Sequence, residues 1–311
     1  MLEADMKYSS NDIKAGKDSF CSFHPAALLL YFILTIGIPM FVMHPVILMI
    51  SFISALIYAV YQNGNGGIRR GCLYLFPAAL FVVLVNALFQ HRGVTVLYYF
   101  PSGNPLTLES IAYGFASAGM MVAVMLWFFI CSRVMTSDKF VYLFGRVMPV
   151  LSLLLSMVLR LIPLFYKQFQ NVQEAQRSMG RDFSEGTLIK RMKCAVTIFS
   201  IMFTWAMENA IITADSMKSR GYGLSGRTAF SLYRFEKRDR KLLGWLLFCG
   251  FYMAISIFIG WLDWSYYPQF NGALLSPFSV GSYICYLALC TTPVIIGKRE
   301  ERIWEICKSE I

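Results

Sequence analysis

The chain has 311 residues, of which 57% are hydrophobic and only 15% are charged, where a soluble domain carries about a quarter charged residues. With a mean hydropathy of +0.55, this argues against a soluble enzyme and predicts an all-α polytopic membrane protein. The net charge of +10 raises nucleic acid or anionic lipid as partners, and eight cysteines without a C-x-x-C argue against a zinc or disulfide framework.

Residues 1–20 are polar, with Lys7, Lys14 and Lys17 and no short apolar core with a cleavage site, so no cleaved leader is expected. A membrane helix needs ~20 apolar residues. Six stretches meet this: Ala26 to Met43, Pro45 to Tyr61, Cys72 to Phe89, Ile111 to Cys131, Leu242 to Leu262 and Pro277 to Ile296. Gly64-Asn65-Gly66-Gly67 between the second and third reads as a tight cytoplasmic turn. Lysine and arginine accumulate on the cytoplasmic side. With both termini inside, all of the 28 basic residues except Arg92 face the cytoplasm.

Two further apolar runs, Val147 to Phe165 and Ala195 to Thr213, carry Arg160 and Glu208. A charge near the centre of a span costs ~2.5–3.5 kcal/mol on insertion scales. Counting either run as a span also displaces basic loops to the outside. Both are therefore expected as apolar helices at the cytoplasmic face; ordinary spans are the alternative, since their hydropathy alone would pass. The chain then divides into a four-span domain (1–137), a cytoplasmic three-helix domain (138–241) and a C-terminal hairpin with a tail (242–311).

That middle domain holds 17 lysines and arginines against 8 acids. Its helices are expected at about Asp138 to Met157, Leu159 to Met179 and Thr187 to Arg220, the last ~50 Å long at ~1.5 Å per residue. The second and third end alike, in Glu174-Ala175-Gln176-Arg177-Ser178-Met179-Gly180-Arg181 and Ala214-Asp215-Ser216-Met217-Lys218-Ser219-Arg220-Gly221. Gly180 and Gly221 suit the left-handed residue that ends a helix, and Arg177 and Arg220 suit the negative end of its dipole. Small neighbours, Ala175, Ser178 and Ser219, would let a partner approach while an arginine grips a carboxylate through two hydrogen bonds. Solvated helix caps are the plainer reading.

Together with Asn86-Ala87-Leu88-Phe89-Gln90-His91-Arg92-Gly93 and Thr204-Trp205-Ala206-Met207-Glu208-Asn209-Ala210, these ends resemble the transmembrane T component (EcfT/CbiQ-like) of energy-coupling factor transporters. The resemblance covers nearly the whole chain. It implies a subunit of an ABC importer that couples two ATPase subunits to a membrane-embedded, substrate-binding S component for uptake of a vitamin or transition metal. It also implies that two Ala-Arg-Gly-like motifs dock on the ATPases. Ser219-Arg220-Gly221 matches with serine for alanine. In the first motif Ser178-Met179-Gly180 has methionine where the family has arginine, leaving Arg177 or Arg181 to substitute. Bacterial plasma membrane is the implied location.

No G-x-x-x-x-G-K-[ST] phosphate loop is present, so no bound nucleotide, cofactor or enzymatic activity is expected. His24, His44 and His91 are isolated and read as interfacial or loop residues rather than metal ligands. Glu208 is expected to pair with a nearby cation, and Asp215 to be solvated. In a polytopic context the basic patch points to lipid head groups and acidic protein grooves, not nucleic acid. The competing class is a self-contained secondary transporter or channel, which needs ionisable groups converging at mid-bilayer.

Overall fold

The structure, a computed structural model, describes residues 19–90, 93–99, 105–180, 188–222, 224, 233, 235–272 and 276–309, with the side chains of 19, 63–74, 146, 147, 149, 305 and 309 excepted. Arg181, His91, Arg92 and the expected turn around Asp182, Ser184 and Gly186 lie outside them. A 3-10 turn, Ser19–Ser22, leads into α1 (Pro25–Phe41) and α2 (Pro45–Phe89). A two-stranded antiparallel hairpin follows, β1 (Val96–Tyr99) and β2 (Pro105–Thr107). Then come α3 (Leu108–Val134), α4 (Ser137–Val147), α5 (Pro149–Ser178), α6 (Leu188–Ser219), α7 (Lys237–Phe258) and α8 (Pro277–Ser309). The all-α membrane architecture expected from composition is what the chain adopts.

The chain forms two units, one of residues 1–139 with 233–311 and one of residues 140–232. In the first, α1 and α2 each begin His-Pro. The ring Nδ1 of His24 accepts from Ala26 N–H, and that of His44 from Val46 N–H, each at 3.3 Å. Proline follows at the position whose own N–H would be unpaired anyway. Both histidines lie in the non-helical positions just before their helices, as the loop residues expected, but they are buried and act as caps. The core gathers Trp127, Tyr31, Tyr58, Tyr286 and Phe20. Polar atoms of three of these rings find partners across helices: Trp127 Nε1 donates to Ser51 Oγ at 3.1 Å, Tyr31 Oη to Cys290 O at 3.2 Å, and Tyr286 Oη to Thr35 O at 3.1 Å. Gly114, Ala118 and Ala123 face α2 or the core as small residues, which allows close helix approach in an apolar solvent.

Two contacts show that α2 is not straight. Trp127 of α3 bonds Ser51, while Ser117 of α3 receives a bond from Asn86 Nδ2 at 3.3 Å. From Trp127 back to Ser117 α3 rises ~15 Å, but a straight helix from Ser51 to Asn86 would run ~52 Å. The two ends of α2 therefore fold back toward one face of α3. The backbone is nonetheless helical across 63–71, where a non-helical turn was expected from the glycines. Glycine and Pro77 in this stretch are recognised causes of sharp helix bends.

In the second unit, the break expected near Leu159 falls instead at Met148. Pro149 forces the residue before it out of the helical region, and Met148 has φ −135° and ψ 82°. Pro163 is accommodated inside α5. Among the described residues, six stretches are long and apolar enough to cross a bilayer by length and composition: Pro45–Gln62, α3, Val150–Ser178, α6, α7 and Pro277–Lys308. Pro25–Phe41 and Leu75–Phe89 are shorter apolar helices. The set thus includes α5 and α6, which the charge pattern had assigned to the cytoplasmic face. What separates these two is burial: 0% and 11% of their apolar windows are buried, against 28–44% in the other four.

Candidate coupling site

α5 and α6 run in opposite senses, joined by a small core. Val172 packs with Cys194 and Ile198, with Met202 against them, and the rings of Phe165 and Trp205 meet edge-on at 5.1 Å. So little buried apolar surface leaves long exposed faces, for example Leu154, Ile162, Phe199 and Ile211. A patch of that extent marks an interaction surface, protein or lipid.

At the end of α6 the chain closes with two reciprocal bonds. Tyr222 N–H donates to Met217 O at 3.1 Å, and Gly221 N–H to Lys218 O at 3.0 Å. This is the six-to-one and five-to-two pairing that satisfies the last carbonyls of a helix. Gly221 supplies the left-handed residue, with φ +72°. At the end of α5 Gly180 has φ +73°, and its N–H donates to Arg177 O at 3.0 Å. Ser178 and Ser219 turn their hydroxyls back onto Glu174 O and Ser216 O, at 3.0 and 2.9 Å. That leaves each small side chain flat against its own helix. Ala175, Arg177, Lys218 and Arg220 are all exposed.

Matching the two ends on their capping glycines pairs Arg177 with Lys218, Ser178 with Ser219, and Met179 with Arg220. Arg177 and Arg220 are therefore not equivalent. They sit two residues apart in register, about 200° around the axis at 3.6 residues per turn. Lys218, which the sequence reading passed over, is the counterpart of Arg177; counting back from the glycine would have found it. Arg181 lies outside the described residues.

Along the helix pair, Gly180 is ~12 Å beyond Val172 and Gly221 is ~24 Å beyond Trp205. Because the helices run oppositely, the basic ends point away from each other on either side of the contact zone. Glu208 does not take the cation partner expected for it. It is exposed beside Ser200, Thr204 and Trp205, and among the described residues no cation stands within ion-pair distance. Asp215 is exposed, as expected. Among the described residues no cluster of histidine, cysteine or acids could hold a metal.

The buried charged side chains among the described residues are Glu109, Lys139 and Asp239, each within the first turn of its helix. Glu109 Oε1 accepts from Thr95 N–H and O–H at 3.2 and 2.6 Å, tying the approach to the β-hairpin to α3. Asp239 Oδ2 accepts from Glu236 N–H at 3.1 Å and its Oδ1 from His24 N–H at 3.3 Å, joining the starts of α7 and α1. Lys139 donates to Cys21 O and Val134 O, each at 2.7 Å. Burial lowers its ammonium pKa from the usual lysine value. Asp239's bond to Glu236 N–H is a local cap three residues back, but its tie to His24, Glu109's to Thr95 and Lys139's to Cys21 were not legible in the sequence, because each joins separate elements.

The family described as "CbiQ: Cobalt transport protein" matches residues 20–230. An energy-coupling factor transporter transmembrane protein EcfT 1 from Listeria monocytogenes is 31% identical over 185 residues, 55% of this chain and 67% of that protein. The EcfT proteins of Lactobacillus helveticus and Bacillus selenitireducens are each 36% identical, over 31% and 33% of this chain. Those two matches span about a third to two fifths of the relatives' own lengths, 35% and 40%.

Proposed function

The chain belongs to the CbiQ family as an EcfT/CbiQ-like T component, and from that premise we propose that it couples a separate pair of ATP-hydrolysing subunits to a substrate-binding S component in the cell membrane. The T component of an energy-coupling factor transporter is a transport protein, and the chemistry of ATP lies elsewhere. The cargo class is a vitamin or a transition metal, with the residue 140–232 unit on the cytoplasmic side. Arg220, flanked by Ser219 and Gly221, is the principal contact to an acidic groove on one ATPase subunit. Ala175, Arg177, Gly180 and Arg181 form the second contact.

The observation that carries this reading is the matched pair of helix ends. Both are glycine-capped, both expose a basic residue, and they diverge from one contact zone. Two identical or similar partners can each take one end, and a planar guanidinium suits a carboxylate partner. The uncovered apolar faces of α5 and α6 supply the surface on which a membrane-embedded S component rests. A self-contained transporter would require ionisable groups at mid-span, whereas the buried charges among the described residues sit at helix starts.

The test is co-expression of the full chain with candidate ATPase subunits. Capture of both subunits by the wild type and by neither Arg220→Glu nor a charge reversal of the first motif is the expected result. Substrate movement by the purified chain alone would refute the assignment.

A further inference from the structure

The hairpin of β1 and β2 takes no part in the coupling site, and its surface is unlike that of a hairpin in water. Residues 93–99 and 105–108 contain no charged side chain. Val94, Leu97, Tyr98 and Tyr99 are each more than half exposed. All four residues of β1 are exposed, whereas β2 runs from half-buried Pro105 to buried Thr107. β2 thus lies inward, against α2 and α3, and β1 is the outer strand.

The base of the hairpin is pinned at a defined height. Thr95 gives its N–H and O–H to Glu109 Oε1, and its carbonyl takes the Leu108 N–H at 3.1 Å. Ser110 Oγ reaches Asn86 O at 3.0 Å and Gln90 O at 2.6 Å, joining the end of α2 to the first turn of α3. α3 has 27 residues, ~40 Å at ~1.5 Å per residue. The hydrocarbon layer is ~30 Å thick and the bilayer with its headgroups ~40–45 Å. The ends of α3, with Glu109 in the first turn and Arg133 in the last, therefore fall at headgroup level. The hairpin emerges there, between exposed Phe89 at the end of α2 and exposed Leu108 at the start of α3.

Its depth is bounded from both sides. In water, exposed strand edges are blunted with lysine and other charges, and a two-stranded hairpin alone is marginally stable. In hydrocarbon, open strand edges are excluded, because their N–H and C=O groups would find no partner. Among the described residues the sheet has two strands, so each leaves one edge outside the ladder. The headgroup layer meets both limits, since water and phosphate oxygens reach the backbone while apolar side chains touch the acyl chains. Successive strand residues point to opposite faces, and β1 exposes both Val96 with Tyr98 and Leu97 with Tyr99. A surrounding lipid layer covers both faces, whereas a protein docked on one would leave the other bare.

We propose that the β1–β2 hairpin is a membrane-interface anchor, with Leu97, Tyr98 and Tyr99 seated in the phospholipid headgroup layer beside the ends of α2 and α3. Tyrosine suits that depth, with its ring toward the acyl chains and its hydroxyl toward water. The anchor sets how deeply the α2–α3 pair sits. It rests on the membrane architecture alone and stands whether or not the coupling role holds.

The experiment reads depth by fluorescence quenching on the full chain, in nanodiscs holding one copy each. An NBD fluorophore is placed at Leu97→Cys and, in a second series, at Val94→Cys, with accessible native cysteines replaced by serine. The quenchers are a phosphatidylcholine with a headgroup nitroxide, one with a mid-chain doxyl group, and aqueous iodide. At Leu97 the headgroup nitroxide should quench at least about twofold more than the mid-chain doxyl, with iodide also effective. At Met125→Cys, exposed on α3, the order of the two lipids should reverse. Tyr98→Ser with Tyr99→Ser should cut headgroup quenching at Leu97 about twofold and raise iodide quenching. Tyr98→Trp with Tyr99→Trp, which keeps an interfacial ring, should preserve the wild-type pattern.

Iodide quenching as complete as for free NBD-cysteine, with none from either lipid, would put the hairpin in water. Stronger quenching by the mid-chain doxyl would sink it into hydrocarbon, and quenching by none of the three would mean that protein covers it. Each of these outcomes overturns the inference, as does an unchanged signal in the double serine variant.

Discussion

Gly180 and Gly221 occupy one backbone state, with φ of +73° and +72°, each two residues beyond the helical end of α5 or α6. Left-handed backbone costs an L-residue about 1–2 kcal/mol. Gly180→Ala and Gly221→Ala should therefore fray the last turns and misdirect Arg177, Lys218 and Arg220. The second variant should be worse, because its new Cβ also meets Leu224 Cδ1 at 3.0 Å. Asparagine tolerates this region better than alanine, so Gly221→Asn should fall between wild type and Gly221→Ala in ATPase-subunit capture. Equal capture by all three would mean the caps do not matter.

Register from those glycines orders the charge reversals. Arg220→Glu should weaken partner binding by at least ~3 kcal/mol, the cost of breaking a buried charge pair. Arg177→Glu and Lys218→Glu occupy matched positions and should resemble each other. Arg181→Glu completes the set. Binding measured by titration calorimetry with purified ATPase subunits reads the series, and a silent Arg177 with a silent Arg181 would mean the first contact has been misplaced.

Burial lowers the ring pKa of His24 and of His44 below the usual histidine value of 6.5. Each ring accepts a backbone N–H through Nδ1, so protonation removes the cap. For His44 the free Nδ1 places the proton on Nε2, 3.1 Å from Tyr283 Oη. The folded state then binds fewer protons than the unfolded state between the lowered value and 6.5. Stability is complete above pH 6.5 and declines as pH falls from there toward the folded value. His44→Asn caps without titrating, so its thermal midpoint should depend less on pH in that window; an unchanged slope would contradict the assignment.

Trp127 separates packing from hydrogen bonding. Trp127→Phe loses chiefly the bond to Ser51, and such bonds between membrane helices average ~0.6 kcal/mol. Trp127→Ala opens a cavity beside Tyr31 and Tyr58 and should cost about 3–5 kcal/mol. Thermal unfolding in detergent should show the second loss as several times the first. Comparable losses would mean that the indole N–H matters more than its volume.

Orientation is testable by labelling. A membrane-impermeant maleimide applied outside whole cells should react with a cysteine placed at Leu97 in the exposed β-hairpin and not with one placed at Gly186. The reverse pattern would invert the topology proposed for the 140–232 unit.

Several features were legible from residue order because they are local. Apolar runs announced the helices, and Gly180 and Gly221 announced the ends of α5 and α6, since a left-handed cap is a property of a few adjacent residues. Charge distribution assigned α5 and α6 to the cytoplasmic face, whereas by length and apolarity both are among the candidate spans of the described residues. The break at Pro149 was equally local and available from the same sequence, yet the boundary was expected ten residues later.

Tertiary structure alone decided the rest. It folded α2 back along α3 through contacts at Ser51 and Asn86, and it gave Glu208 open surface where a cation partner was expected. It also brought Lys139 and Arg238 to one short turn near the start of the chain. These arrangements join residues up to 216 positions apart. Residue spacing fixes which face of a helix a side chain occupies, but which distant carbonyl or ring meets that face depends on how the whole set of helices packs.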